Sequence, residues 1–291
     1  MPKLLLQTTI EGDPDDWNIG RFSQLRNFLA RLRDDDGQPA FLVAARNRTR
    51  RGEPDPVLSS LPDSDIDQLW LFAVDGGDGL TPADCAGMSE FRRRGGALMV
   101  TRDHMDLGRS ICDLAGVGAA HHSHSVNCEP DAGRRCADNP ASGGISWPNY
   151  HSGANGDFQR VRPVGSIHPV LRDPRSPTGA IQYLPAHPHE GAVSAPAGDA
   201  SSRVIIEGQS AASGRPFNIA VAFDRSGSGG RALAQSTFHH FADYNWDPAC
   251  GCPSFVSERP GHGMMLFPEA RRSTEQYVRN VAFWLAGDRQ A

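Results

Sequence analysis

The amino-acid sequence predicts an α/β fold with a mostly parallel central sheet and helices on its faces. Three observations favour this class. Short apolar runs alternate with helical patterns over the first hundred residues, residues typical of helix ends flank those patterns, and the length of 291 residues suits one elaborated α/β domain as well as two smaller ones. Parallel strands need a long connection, and a helix is the usual one. The alternation therefore indicates a sheet covered by helices.

The first two strands flank an amphipathic helix. Residues 3–8 form the first apolar strand, and residues 41–45 form the second. Asn18 is a capping residue at the start of the helix between them. The apolar residues of this helix recur at helical spacing: Ile19, Phe22, Leu25, Leu29 and Leu32. An acidic run followed by Gly37 ends the helix.

The next helix has a complete start signal. Thr81 is its cap, Pro82 is its first residue, and Asp84 is the acidic residue three positions after the cap. The helix connects a continuous apolar strand at residues 69–74 with another strand at residues 97–101. Its buried face is predicted to contain Cys85, Met88 and Phe91.

The second half of the chain is less regular. Residues 116–162 are dense in Gly, Pro, Asn, His and Ser, which predicts either a disordered segment or a long loop held by its own side chains, and the aromatic and polar residues 147–151 favour the ordered loop. Four further strands follow, of which the first two are expected to pair in antiparallel fashion: residues 180–184, 204–208, 218–223 and 232–237. The chain closes with an amphipathic helix whose predicted capping box is Ser273 with Gln276 and whose stop is Gly287.

Composition and charge narrow the class of partner. The net charge is −5, with 22% charged residues, which excludes a basic nucleic-acid binder and a disordered chain. No apolar run approaches the roughly 18 residues of a membrane span, and the first nine residues lack the pattern of a secretory leader. These features predict a cytoplasmic protein whose ligand is a small molecule.

The six cysteines are expected to be free thiols, because a chain in a reducing compartment rarely forms disulfides. Two alternatives stay open for four of them. Four thiolates could close a tetrahedral zinc site if their loops meet, or the first two could form a disulfide. The four residues are Cys128, Cys136, Cys250 and Cys252.

Candidate catalytic residues follow the predicted strands, because ligands of an open parallel sheet bind at the carboxyl ends of its strands. Asp103 and His104 come directly after the fourth strand, where an imidazole oriented by a carboxylate can transfer protons near neutral pH. Asp75 follows the third strand as a candidate substrate ligand. An amidotransferase or hydrolase of this architecture would carry a Ser or Cys nucleophile in a glycine-containing turn after a strand. The turn after the fourth strand contains no such nucleophile.

A second group of polar and aromatic residues follows the last predicted strand. His239 and His240 are candidates for a second proton-transfer group, with Asp243 as the residue that orients it. Asn245 is a candidate substrate ligand in the same segment. Such a dense set of donors, acceptors and rings suits a sugar or another polyol.

Four further candidate substrate ligands lie outside these two segments, and the sequence alone does not bring them together. Asn149, His151 and Asn155 belong to the predicted insertion and Glu190 to an extended segment after it. Cofactors stay open. The alternative of a metal site rests on an imidazole cluster formed by His104, His121, His122 and His124.

Several short motifs recur in a recognisable order along the chain. They are the strand ending in Asp75, the Leu80-Thr81-Pro82 helix start, the Gly95-Gly96 entry into the strand before His104, the Ile167-His168-Pro169-Val170 segment, the His239-His240 turn and the closing helix at residues 281–285. This order resembles the trehalose-utilisation (ThuA-like) family of the class I glutamine amidotransferase-like superfamily. The resemblance implies one domain over residues 1–291, a flavodoxin-like three-layer sandwich elaborated by the insertion at 116–162, and a role in carbohydrate metabolism.

The leading functional hypothesis is a protein that binds a sugar-like or small polar metabolite and acts on it by acid–base chemistry. Glutamine amidotransfer is not expected, because the cysteine elbow is missing. Two alternatives stay open: a metal-dependent hydrolase that uses the histidine clusters, and a non-catalytic binding module. An exposed sheet edge or the aromatic-rich loop could also support a homo-oligomer.

Overall fold

The computed structural model describes residues 1–138, 144–225 and 229–287, so residues 139–143 of the predicted insertion lie outside the described part. The strands are β1 (Lys3–Thr8), β2 (Leu42–Arg46), β3 (Gln68–Phe72), β4 (Ala97–Thr101), β5 (His121–His122), β6 (Phe158–Arg160), β7 (Arg162–Pro163), β8 (Tyr183–Pro185), β9 (Ala192–Val193), β10 (Ser202–Gln209), β11 (Pro216–Phe223) and β12 (Ala232–Gln235). The α-helices are α1 (Ser23–Arg31), α2 (Pro82–Arg93), α3 (Asp243–Trp246), α4 (Gly263–Leu266) and α5 (Pro268–Ala286).

An eight-stranded sheet in the order β2-β1-β3-β4-β12-β11-β10-β7 forms the centre of the molecule. Its first five strands are parallel, and the last three extend it in antiparallel fashion. The predicted mostly parallel sheet is therefore confirmed. The carboxyl ends of β1, β3, β4 and β12 lie along the same edge of the sheet, so the residues that follow these strands lie near one another.

Alternating side chains of the central strands build the two outer layers. Leu4 and Leu6 of β1 pack on the face that also buries Phe22 and Val281, whereas Leu5 packs on the opposite face against Met88 of α2. Successive side chains of a strand point to opposite faces, so both faces are apolar and both are covered. This arrangement confirms the flavodoxin-like three-layer sandwich. Among the described residues, no helix is both long and apolar enough to cross a membrane.

The predicted start of α2 is confirmed in detail. The Thr81 hydroxyl accepts a hydrogen bond from the backbone N–H of Asp84, and the Asp84 carboxylate accepts one from the backbone N–H of Thr81. Pro82 occupies the first helical turn, where its missing N–H costs nothing. Asp84 also accepts the backbone N–H of Asp55, so the cap ties α2 to the loop after β2.

Two predictions about the second half are wrong. The strand at residues 204–208 pairs with β11 and β7, and the strand near residue 184 pairs with β6, so these two strands do not pair with each other. A short hairpin turn makes β11 the nearest partner for β10. The closing helix begins at Pro268 rather than at Ser273, whose hydroxyl instead accepts the backbone N–H groups of Gln182 and Tyr183.

The expectation of six free thiols is wrong for one pair. Cys85 of α2 and Cys112, in the loop after β4, form a disulfide whose Cα atoms lie 6.0 Å apart. The two residues are 27 positions apart, and only the packing of that loop against α2 brings them together. The bond attaches the segment that follows Asp103 and His104 to the outer helix layer.

Candidate metal centre

A cleft of about 350 Å³ opens where β4 and β12 end. Asp103 and His104 follow β4, and His239 follows β12 after a short turn. The cleft is lined by Trp17, Asp103, His104, Leu107, Ile145, Asn155, His187, His189, His239, Phe255, Val256 and Glu258. These residues come from seven separate segments, which meet at the carboxyl edge of the parallel sheet.

The Asp103 carboxylate lies at the centre of three imidazoles and is fully buried. Its Oδ2 lies 2.8 Å from His104 Nδ1, 3.4 Å from His187 Nε2 and 3.6 Å from His239 Nε2. Its Oδ1 accepts a hydrogen bond of 2.6 Å from the Thr237 hydroxyl.

Two buried asparagines determine which nitrogen of each ring carries the proton. Asn245 Nδ2 donates to Asn155 Oδ1 at 2.8 Å and to the carbonyl of Ala186 at 2.9 Å, so its Oδ1 must face the other way, toward His239 Nδ1 at 2.9 Å. Asn155 Oδ1 also lies 2.9 Å from His187 Nδ1. Because both oxygens are acceptors, the Nδ1 atoms of His187 and His239 carry the hydrogens.

The Nε2 atoms of His187 and His239 therefore present lone pairs to the Asp103 carboxylate. Burial lowers the pKa of His187 to about 4 and that of His239 well below its usual value, so both rings are neutral near pH 7. Within the described residues, His187 Nε2 is buried without a hydrogen-bond partner. Imidazole nitrogens beside a buried carboxylate are the donor types of a two-histidine, one-carboxylate site for a divalent cation.

Ring packing holds the two imidazoles in this orientation. The rings of His187 and His239 stack with centroids 3.6 Å apart and an interplanar angle of 12°. Trp17 packs edge-on against His239 at 4.6 Å, and Phe238 stacks on its other side at 4.3 Å. The pattern of a ligand histidine whose other nitrogen donates to a fixed oxygen is typical of metal sites in proteins.

His104 is the most accessible imidazole around Asp103, with 17% of its side chain exposed. One ring nitrogen bonds Asp103, and the ligand-capable atoms of Asp103, His104 and His187 all lie within 4.8 Å of one another. The buried Arg102 holds the loop that carries His104, because its guanidinium donates to the carbonyls of Met105, Leu107 and His122.

The wall opposite Asp103 contains a second polar pair. His189 Nε2 donates to Glu258 Oε1 at 3.1 Å, and its Nδ1 lies 2.8 Å from Asn149 Oδ1. The His189 ring lies 5.1 Å from the ring of His104 and 5.6 Å from that of His187, measured between centroids. This pair therefore borders the space in front of the three imidazoles.

Comparison with known proteins shows what the fold resembles. No family profile and no curated protein match the sequence. Among solved structures, a protein of Parabacteroides merdae ATCC 43184 described as ThuA-like superposes at a TM-score of 0.52 and 13% identity, over 99% of this chain and 91% of that one. The chain has the fold of that ThuA-like protein. The fold implied by the sequence resemblance is thereby confirmed.

Two further solved structures cover the chain over nearly its whole length. A ThuA-like protein of Bacteroides uniformis ATCC 8492 superposes at a TM-score of 0.44 and 14% identity, over 94% of this chain and 91% of that one. A cytoplasmic protein of Salmonella typhimurium superposes at a TM-score of 0.48 and 10% identity, over 97% of this chain and 98% of that one.

The structure brings some of the sequence-predicted residues together. Asp103, His104 and His239 meet in the cleft, as the positions after β4 and β12 predict. Asn155 and Asn245, predicted to bind substrate, lie behind the imidazoles and fix their tautomers. Asn155 Oδ1 and both polar atoms of the Asn245 amide are engaged in these contacts, and the role of the two residues as substrate ligands stays a prediction.

His240 and Glu190 lie in a separate buried network. His240 Nε2 donates to Glu190 Oε1 at 3.1 Å, and the same carboxylate accepts hydrogen bonds from Ser152, Gln159 and Ser236. Both side chains are fully buried and neither lines the cleft. The two adjacent histidines therefore point in different directions: His239 faces Asp103, and His240 faces residues of the insertion.

The remaining predicted residues also lie outside the cleft or at its back. Asp243 binds the first residues of α1, Asn149 supports His189, and His151 Nδ1 lies 3.3 Å from the carbonyl of Pro188. Asp75 lines a larger cleft of about 610 Å³ beyond β1 and β3, where its Oδ2 accepts hydrogen bonds from the hydroxyls of Thr9 and Ser110 and its Oδ1 accepts one from the backbone N–H of Gly77.

The predicted histidine and cysteine clusters are wrong as metal sites. His121 packs under β12, His122 contacts Ser194, and His124 lies 3.5 Å from Asp106, so these rings do not converge on His104. Cys128, Cys136, Cys250 and Cys252 are free thiols in different parts of the described structure. The three histidines are close in sequence, but their side chains point to different surroundings because the backbone that carries them is irregular.

Among the cleft residues that sequence reasoning missed, four carry a ring nitrogen or a carboxylate: Trp17, His187, His189 and Glu258. The only signal was the His187-Pro188-His189-Glu190 segment, in which the two histidines are two residues apart in an extended X-Pro context and so lie on the same side of the chain. Nothing in the sequence places this segment opposite β4, because it follows the insertion.

Proposed function

We propose that the chain is a divalent-metal-dependent hydrolase that acts on a small, polar, sugar-like metabolite. The cluster of Asp103, His104 and His187, whose ligand-capable atoms all lie within 4.8 Å of one another, carries the proposal. Zinc or iron(II) suits such a donor set. The sugar-like substrate is carried over from the resemblance to ThuA-like proteins.

The residues around the proposed ligands have distinct tasks in such a reaction. A bound metal would polarise the scissile bond and activate water. Asp103, His104 and His187 would hold the metal, and Asn155 with Asn245 keeps the rings of His187 and His239 in one tautomer. His239 lies beside them, with its Nε2 3.6 Å from Asp103 Oδ2.

Metal analysis tests the proposal directly. Protein purified without a metal-affinity tag, depleted with chelator and incubated with zinc should retain about one equivalent after desalting, as measured by mass spectrometry of the elements. Asp103→Asn and His187→Gln should each weaken zinc binding by about a hundredfold or more, because each removes a direct ligand. The exposed His262→Gln is the matched control and should bind like the wild type.

A second candidate function is metal-free acid–base catalysis, which is favoured by the 2.8 Å contact between Asp103 Oδ2 and His104 Nδ1. The same experiment separates the two. A folded wild-type protein that binds no zinc, manganese or iron(II) contradicts the hydrolase proposal and leaves the Asp103–His104 pair as the reacting group.

A further inference from the structure

The cleft beside the proposed ligands has one ionisable carboxylate besides Asp103. That residue is Glu258, and among the described residues that line the cleft none is a lysine or an arginine. The Nδ1 atoms of His187 and His239 are bonded to the asparagines behind them. A substrate in this space therefore meets the Glu258 carboxylate opposite the metal position, and no lysine or arginine side chain.

The Glu258 carboxylate is held in place but remains accessible. His189 engages its Oε1, and 37% of the Glu258 side chain is exposed. Burial opposes ionisation only in part, and the hydrogen bond from His189 keeps the pKa of Glu258 below its usual value. An ionised carboxylate can only accept hydrogen bonds, so its partner in a substrate must be a donor.

The surface next to Glu258 is apolar. Leu107, Ile145 and Val256 line the cleft, and Phe255 at its mouth is 61% exposed. This surface offers no hydrogen bonds to a charged or strongly hydrated group, which would lose water on entering. It suits an uncharged carbon skeleton that lies between the metal position and Glu258.

We propose that the cleft selects neutral or cationic substrates that donate a hydrogen bond to Glu258 from a hydroxyl or ammonium group, and that it rejects anionic ones. The inference rests on the proposed metal site, which would bind the opposite end of the substrate. Such selectivity combines an attractive hydrogen bond to the donating substrates with charge repulsion of the anionic ones.

Three hydroxamates test this selectivity on the full-length protein loaded with cobalt(II). Glycine hydroxamate carries an ammonium tail, acetohydroxamate a neutral one and succinic monohydroxamate a carboxylate, while all three chelate metal through the same group. The visible absorption of cobalt reports their dissociation constants. The wild type should bind the cationic and neutral probes about tenfold more tightly than the anionic one, because like charges repel in a partly buried cleft.

The variant Glu258→Gln should reduce this preference to about threefold or less, since it keeps the shape but removes the charge. The exposed Glu269→Gln of α5 is the matched control and should keep the full preference. Equal or tighter binding of the anionic probe by the wild type overturns the inference and leaves the metal site intact. A protein that takes up no cobalt contradicts the proposed function, and the inference fails with it.

Discussion

Two asparagine side chains decide which nitrogens of His187 and His239 face Asp103. Asn245 donates to Asn155 and to the carbonyl of Ala186, which leaves its oxygen for His239. The carbonyl of Ala186 thus fixes the Asn245 amide, and the two amides together fix the orientation of both imidazole rings. Such outer contacts raise the affinity of a metal site because the ligands need not reorient on binding.

Replacing Asn245 by Asp tests this arrangement at the level of single atoms. The carboxylate keeps the acceptor for His239 but cannot donate to Asn155 or to Ala186, so the Asn155 amide is no longer fixed. We expect Asn245→Asp to weaken zinc binding by about 10- to 100-fold, measured by competition with a chromogenic chelator. Asn27→Asp on the exposed face of α1 is the control. Unchanged zinc affinity in a folded Asn245→Asp protein would show that the rings keep their tautomers without this amide.

At the scale of elements, α3 and α1 are joined by a single carboxylate. Asp243 accepts the backbone N–H of Ser23 at 2.9 Å, the Ser23 hydroxyl at 2.6 Å and the backbone N–H of Gln24 at 2.8 Å. The first N–H groups of a helix have no partner within it, so Asp243 caps α1 from a distant part of the chain. The sequence suggested Asp243 as the residue orienting a catalytic histidine, and its contacts support the capping role.

Removing this cap should affect stability and leave the metal site unchanged. Asp243→Ala is expected to lower the free energy of unfolding by about 1–2 kcal/mol, because three hydrogen bonds at the start of α1 are lost. Urea unfolding measures this change, with Asp35→Ala on the surface as the control. If Asp243→Ala lost zinc binding but kept its stability, Asp243 would belong to the functional site and the capping role would be wrong.

At the scale of the whole molecule, the disulfide between Cys85 and Cys112 connects two layers. It joins α2 to the loop that continues from the Asp103–His104 pair. The remaining cysteines, Cys128, Cys136, Cys250 and Cys252, are free thiols. The thiol content of the purified protein therefore reports on this contact between layers.

A thiol count checks the covalent structure. Protein prepared without reductant, denatured and treated with Ellman's reagent should show four reactive thiols of the six cysteines. After reduction, all six should react, and the free energy of unfolding should fall by about 2–4 kcal/mol because the unfolded chain gains freedom. Six reactive thiols before reduction would contradict the Cys85–Cys112 bond.

Local patterns determined the layers and the position of the site. Apolar runs specify buried strands, and the cap formed by Thr81 and Asp84 specifies where α2 begins, because both depend on residues within a few positions of one another. The rule that ligands bind beyond the carboxyl ends of parallel strands then pointed to Asp103, His104 and His239. These three residues meet in the cleft, as that rule requires.

Only the tertiary structure decided which other residues join them and which do not. His187 lies 84 positions after Asp103, and Glu258 lies 69 positions after His189, so no local pattern relates them. The structure also separated His239 from its neighbour His240, because adjacent residues of one turn face different surroundings. A sheet brings strand ends together through long-range backbone pairing, and the chemistry of this cleft arises from that pairing rather than from any segment alone.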